Sequence, residues 1–256
     1  MNETARGDEL GLRGEWLGQY QGAQEASDHA RQSIVRRFIL RGVFLGHYGL
    51  AFAAKRASPE TSLGTLTFAA QWLDELWPIL LLLGVEHVKI APGLMAASDL
   101  DFVSYPISHS LLAAVGWSVI IGVAYFLVRH RPRGAWVVGA LVLSHWVLDV
   151  LVHRPDLPLY PGGPRVGLGA WNSVPLTWAL EAIFYAGGLV IYLRTTKAKD
   201  AIGRWGLWSL VAVQVALYTV GSGPPPSVSM LAWSALVLWL FIPWAAWIDR
   251  HRIVCS

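Results

Sequence analysis

The chain has 256 residues, of which 54% are hydrophobic and 14% charged, where a soluble domain carries about 25% charged residues. This balance excludes an ordinary water-soluble globule and indicates a polytopic membrane protein with the lipid bilayer as its main partner. The net charge is only +3, with basic residues set beside apolar runs as topology signals, which argues against nucleic acid as a partner; the single cysteine, Cys255, cannot form an internal disulfide.

Residues 1–32 are polar and read as an N-terminal tail rather than a secretory leader. Residues 33–256 read as one integral membrane domain, with 42–160 as a metal-site core and 171–250 as supporting helices. The first apolar stretch, 42–54 ("GVFLGHYGLAFAA"), is too short to span. Arg36, Arg37 and Arg41 precede it and Lys55 and Arg56 follow, so both ends prefer the same side, favouring a re-entrant element over a seventh span. Six runs of near-spanning length follow, at 63–84, 106–128, 134–153, 171–193, 204–221 and 228–248. Connections rich in Lys and Arg alternate with poorer ones, which predicts that the basic turns and the C-terminus face the cytoplasm. The last two runs hold almost no ionisable residues and carry Trp toward their ends, as scaffold helices do. The expected fold is therefore an all-α, multi-pass membrane helical bundle of about six spanning helices plus the short first segment.

Ionisable groups at membrane depth cost about 2.5–3.5 kcal/mol each on insertion scales, so they mark function or pair with one another. His47 lies in "FLGHYGLAF", Asp74 in "AAQWLDELWPILLLLG" and His109 in "SYPISHSLLAAVGW". In "SHWVLDVLVH", His145 and Asp149 share a helix face at i, i+4, and His153 continues it at i+8. Three imidazoles and two carboxylates suit a divalent metal, Zn²⁺ first and Mn²⁺ or Fe²⁺ next, and are too nitrogen-rich for Ca²⁺ or Mg²⁺. Taken singly, each has a plainer reading: a hydrogen-bonded packing histidine, a capping aspartate, or a solvated helix end for Asp149 and His153. Glu75 lies about 100° round the helix from Asp74. Glu181 reads equally as a support for the site or a lone interhelical hydrogen bonder.

Gly46–His47, Asp74 at the centre of an apolar run, His109–Ser110, and Ser144–His145 with Asp149 occur in an order that resembles a bacterial inner-membrane metal-dependent hydrolase family. The resemblance covers roughly residues 42–160. Two elements depart from the pattern: a double-Asp stretch is replaced by Asp74–Glu75, and an Arg-Gly-x-Thr lead-in is replaced by Tyr105–Ser108. The resemblance implies a membrane-embedded hydrolase of the bacterial inner membrane, with His47, Asp74, His109, His145 and Asp149 holding the metal.

On that reading the substrate is a lipid or phosphoester reached from the outer side. His153 or Glu75 acts as acid or base, and Arg154 and Arg165 orient an anionic headgroup. Two alternatives use the same His/Asp set: a proton or metal-ion transporter, and a non-catalytic membrane scaffold. The sequence lacks H-E-x-x-H, and Gly139 stands where a phosphatidic-acid-phosphatase pattern needs its arginine.

Overall fold

The computed structural model describes residues 45–219 and 223–255. The tail expected over 1–32 and the start of the first apolar stretch lie outside the described residues. The bundle begins with α1 (Leu45–Ala57) and α2 (Leu63–Leu82), followed by the hairpin β1 (His87–Ile90) and β2 (Leu100–Ser104). Next come α3 (Leu111–Arg129), α4 (Pro132–Val152), the two-residue strands β3 (Leu157–Pro158) and β4 (Arg165–Val166), and α5 (Val174–Thr195). The chain closes with β5 (Thr196–Ala198), α6 (Leu207–Thr219), α7 (Val228–Leu236), α8 (Phe241–Arg250) and β6 (Arg252–Val254).

Serine N-caps start many of these helices. Ser62, Ser110, Ser173 and Ser227 each accept from the backbone N–H three residues on, which satisfies a donor that the helix cannot. Between α3 and α4 the chain reverses at His130, whose φ of 52° is left-handed, and Pro132 then opens α4.

Among the described residues, four segments are long and apolar enough to cross a membrane: α3, α4, α5, and the stretch Val228–Arg250 that α7 and α8 make with the intervening 3-10 turn. The sequence expectation was six. Gln71, Asp74 and Glu75 interrupt the apolar surface of α2. The run at 204–221 divides into a π turn, Ile202–Gly206, and a helix of 13 residues, which reaches about 20 Å against a hydrocarbon core of about 30 Å. The described part of the first segment, α1, is also 13 residues long, and most of it is buried. It lies between α5 on one side and α2 and α4 on the other.

Small residues set the closest helix pairs, as is common where lipid supplies no hydrophobic drive for association. A Cβ on Gly49 would stand 2.7 Å from the Tyr185 Cα, and one on Gly188 would stand 2.7 Å from the Gly49 Cα. The α1 and α5 backbones therefore touch directly. Between α3 and α4, Gly122 faces the Ala135 and Gly139 backbone, Gly139 faces Ser118, and Ser118 Oγ donates to the Gly139 carbonyl at 2.7 Å.

The two ends of the bundle differ. At one end, buried Lys55 donates to Asp249 Oδ2 at 2.6 Å and to the Thr61 carbonyl, while Asp249 also accepts from Leu63 N and Tyr192 Oη. Strands β5 and β6 pair there, and Arg252 ties Thr196 to Gly203. At the other end, connections that the sequence suggested were plain loops form two small antiparallel ladders, β1–β2 and β3–β4. These place Leu100, Phe102, Tyr105 and Trp171 in the same core as α2 and α4.

Candidate metal centre

The five residues come from four elements: His47 from α1, Asp74 from α2, His109 from the turn before α3, and His145 with Asp149 from α4. Their side chains converge. His47 Nε2 lies 3.3 Å from Asp149 Oδ1, and His145 Nε2 lies 3.5 Å from Asp149 Oδ2 and 3.6 Å from Asp74 Oδ2. His109 Nε2 stands 3.4 Å from Asp74 Oδ1 and 3.7 Å from Asp149 Oδ2. Donors held about 2.1 Å from one ion at tetrahedral angles lie about 3.4 Å apart. Two ligand-like triads result, His47–His145–Asp149 and Asp74–His109–His145, joined at His145.

For His145 and His109 the far side of the ring fixes which nitrogen faces the centre. His145 Nδ1 donates to the Ala70 carbonyl at 2.7 Å, so its lone pair is on Nε2. Ser108 Oγ donates to Glu86 Oε2 at 2.5 Å and accepts from His109 Nδ1 at 2.7 Å, so His109 likewise presents Nε2. Glu86 is itself anchored by the backbone N–H groups of Ile107 and Ser108. The His47 and His145 rings stack at 3.7 Å. Glu181, from α5, accepts from Gly46 N at 2.9 Å and so fixes the start of the helix that carries His47.

The donor set fits a divalent cation. His145 Nε2 and Asp149 Oδ2 are buried without a hydrogen-bond partner, a costly condition for polar atoms in a low-dielectric interior. Two carboxylates and three neutral imidazoles would balance a 2+ charge. Pro78, one turn after Asp74, has no N–H to offer the Asp74 carbonyl, which loosens α2 at that residue.

His153 ends α4 and lines the same small space as His47, Asp74, His109 and Asp149, walled by Phe102 and Trp171. Its Nδ1 lies 2.9 Å from Asp156 Oδ1, which also accepts from Tyr105 Oη at 3.1 Å. The imidazole is thereby held as an Nδ1–H tautomer with Nε2 available. Burial, and after it the Asp156 carboxylate, push the Tyr105 phenol well above its ordinary range, so it remains a hydrogen-bond donor.

Glu75 is placed elsewhere. It is buried beside α2's other neighbours, Trp239 donates to its backbone carbonyl, and it lines none of the small space round the five. Arg154 bonds to Asp101 and to Asp156 at 3.1 Å, and Arg165 donates to the Val103 carbonyl at 2.9 Å. Both arginines thus tie the loop after α4 to β2. Sequence reading did not single out Glu86, Ser108, Tyr105 or Asp156 as site residues. "SHS" and "HRPD" are the local signals, since each sets a polar side chain one or three residues from a site histidine.

Residues 90–224 match the model of the YdjM inner membrane protein family, just over half of the chain, and the chain belongs to that family. The matched region contains His109, His145, Asp149, His153 and Asp156, and begins after His47 and Asp74. No curated protein and no solved structure matches the chain.

Proposed function

We propose that this inner-membrane protein is a metal-dependent hydrolase, with His47, Asp74, His109, His145 and Asp149 holding one divalent cation, Zn²⁺ first. The observation that carries the reading is the convergence of five donor side chains, two of whose three imidazoles, His109 and His145, have their tautomers set by outward hydrogen bonds. A bound ion of this kind polarises an ester or phosphoester oxygen and lowers the pKa of water toward about 7.

The protein's own groups supply the rest. His153 Nε2, oriented by Asp156, takes the proton from the attacking water and returns it to the leaving oxygen. The water oxygen bonds to the acyl or phosphoryl centre, the bond to the leaving oxygen breaks, and the proton ends on that oxygen. Phe102 and Trp171 keep bulk water away from His153. Relay and scaffold roles would use the same His/Asp set. The hydrolytic reading is favoured because His153 is aligned beside the five and is not one of the two triads. The charged turns face the cytoplasm on this proposal, which puts the site in the outer half of the membrane.

Purified protein in detergent, assayed on p-nitrophenyl acyl esters and phosphoesters, tests the reading. Wild type should turn over one class, and Asp149→Ala and chelated wild type should each lose at least about 100-fold. Metal-loaded wild type that hydrolyses neither class contradicts it.

A further inference from the structure

Four of the five ligand side chains are sealed, with exposures of 0 to 6%, whereas Asp74 is 27% exposed. The space among the ligands holds only about 20 Å³, room for about one water. A larger cavity of about 320 Å³ shares Asp74, Trp77 and Leu100 with it as lining residues, a volume at the low end of ligand pockets, about 300–1,000 Å³. That cavity is apolar. Leu45, Tyr48 and Phe241 form its buried wall, and Leu217, Leu231 and Val237 lie toward its mouth. Exposure rises along it from 2% at Tyr48 and 6% at Phe241 to 40% at Leu217 and 57% at Val237. The mouth therefore lies between α6 and the α7–α8 stretch, which is among the segments long and apolar enough to cross a membrane.

Resting on the hydrolytic reading, we propose that this cavity holds the acyl chain of a membrane lipid, which enters between α6 and α7 and presents its ester or phosphoester group at Asp74. Lipid is the occupant because the mouth sits on a membrane-spanning stretch, where acyl chains are the surrounding solvent. A polar substrate would have to cross an apolar wall to reach the one open ligand. Besides Asp74 and Tyr48, the polar residues in the lining are Gln214, which is engaged by Tyr185 Oη at 2.7 Å, and Ser234.

The test uses the full chain in vesicles of phosphatidylethanolamine and phosphatidylglycerol doped with a phospholipid bearing a diazirine near the end of one acyl chain. After irradiation, adducts are mapped by mass spectrometry in wild type, Ala235→Trp and Leu231→Trp, with metal content measured on the same samples. Adducts on Leu45, Tyr48 or Phe241 in wild type, reduced at least fivefold in either tryptophan variant with metal retained, are expected. Adducts confined to Val237, Trp233 and other lipid-facing residues, identical in all three proteins, overturn the proposal. Inner adducts in a protein that holds no metal uphold the chain site and sink the hydrolytic reading instead.

Discussion

Replacing Gly188 by alanine should open the seam that positions His47. The added Cβ would lie 2.7 Å from the Gly49 Cα and nearer still to its carbonyl, whereas ordinary contacts begin at 3.4 Å. The two backbones must part by about 1 Å, and overpacking of this kind costs about 1–3 kcal/mol. Either α1 moves toward α4 and disturbs His47, 3.3 Å from Asp149, or α5 swings out and draws Glu181 from Gly46 N. A ligand set tolerates about 0.5 Å of error, so metal affinity should fall about 10- to 100-fold, as when a supporting contact is lost. Gly187 is the matched control, because nothing lies within 4 Å of a Cβ there. Gly187→Ala should hold or gain up to about 1 kcal/mol from helix propensity. Thermal unfolding in detergent micelles and chelator competition read both quantities. Equal midpoints and equal affinities for the two alanine variants would refute the reasoning.

Other outcomes follow from the same contacts. Asp249→Ala strands the buried Lys55 ammonium and removes the acceptor for Leu63 N and Tyr192; it should cost about 3–5 kcal/mol in unfolding free energy, with Lys55→Met/Asp249→Leu recovering most of it. Asp156→Asn should lower the turnover of a p-nitrophenyl ester about 10- to 100-fold while metal content stays at the wild-type level. Asp200 sits below the usual carboxylate range because Gly203 N donates to it at 2.8 Å and because His251 lies 2.7 Å away. Its contribution is present above the unfolded pKa of about 3.9 and is lost as pH falls through the lower folded value. The difference in melting temperature between wild type and Asp200→Ala should therefore shrink on acidification below about pH 4.

The helical membrane architecture was legible because apolar runs and basic turns are local signals. The five converging side chains also stood out in the sequence: ionisable groups are conspicuous against apolar helices, and the i, i+4 spacing of His145 and Asp149 sets them on one face. What was hidden depends on contacts between distant residues. Glu86 reaches Ser108 across 22 positions and Tyr105 reaches Asp156 across 51, and no periodicity announces either. The β1–β2 hairpin was read as loop because its strands are four and five residues long and lack a clean alternation. The count of six spans treated apolar length as sufficient, whereas the π turn at Ile202–Gly206 shortens one run and the polar trio of α2 interrupts another.

The most direct measurement is metal content by mass spectrometry of detergent-purified protein, with wild type beside His145→Ala and Asp149→Ala. The account predicts close to one divalent ion per chain in wild type and at least a tenfold loss in each variant at matched chelator. Equal and negligible metal in all three folded proteins would contradict it.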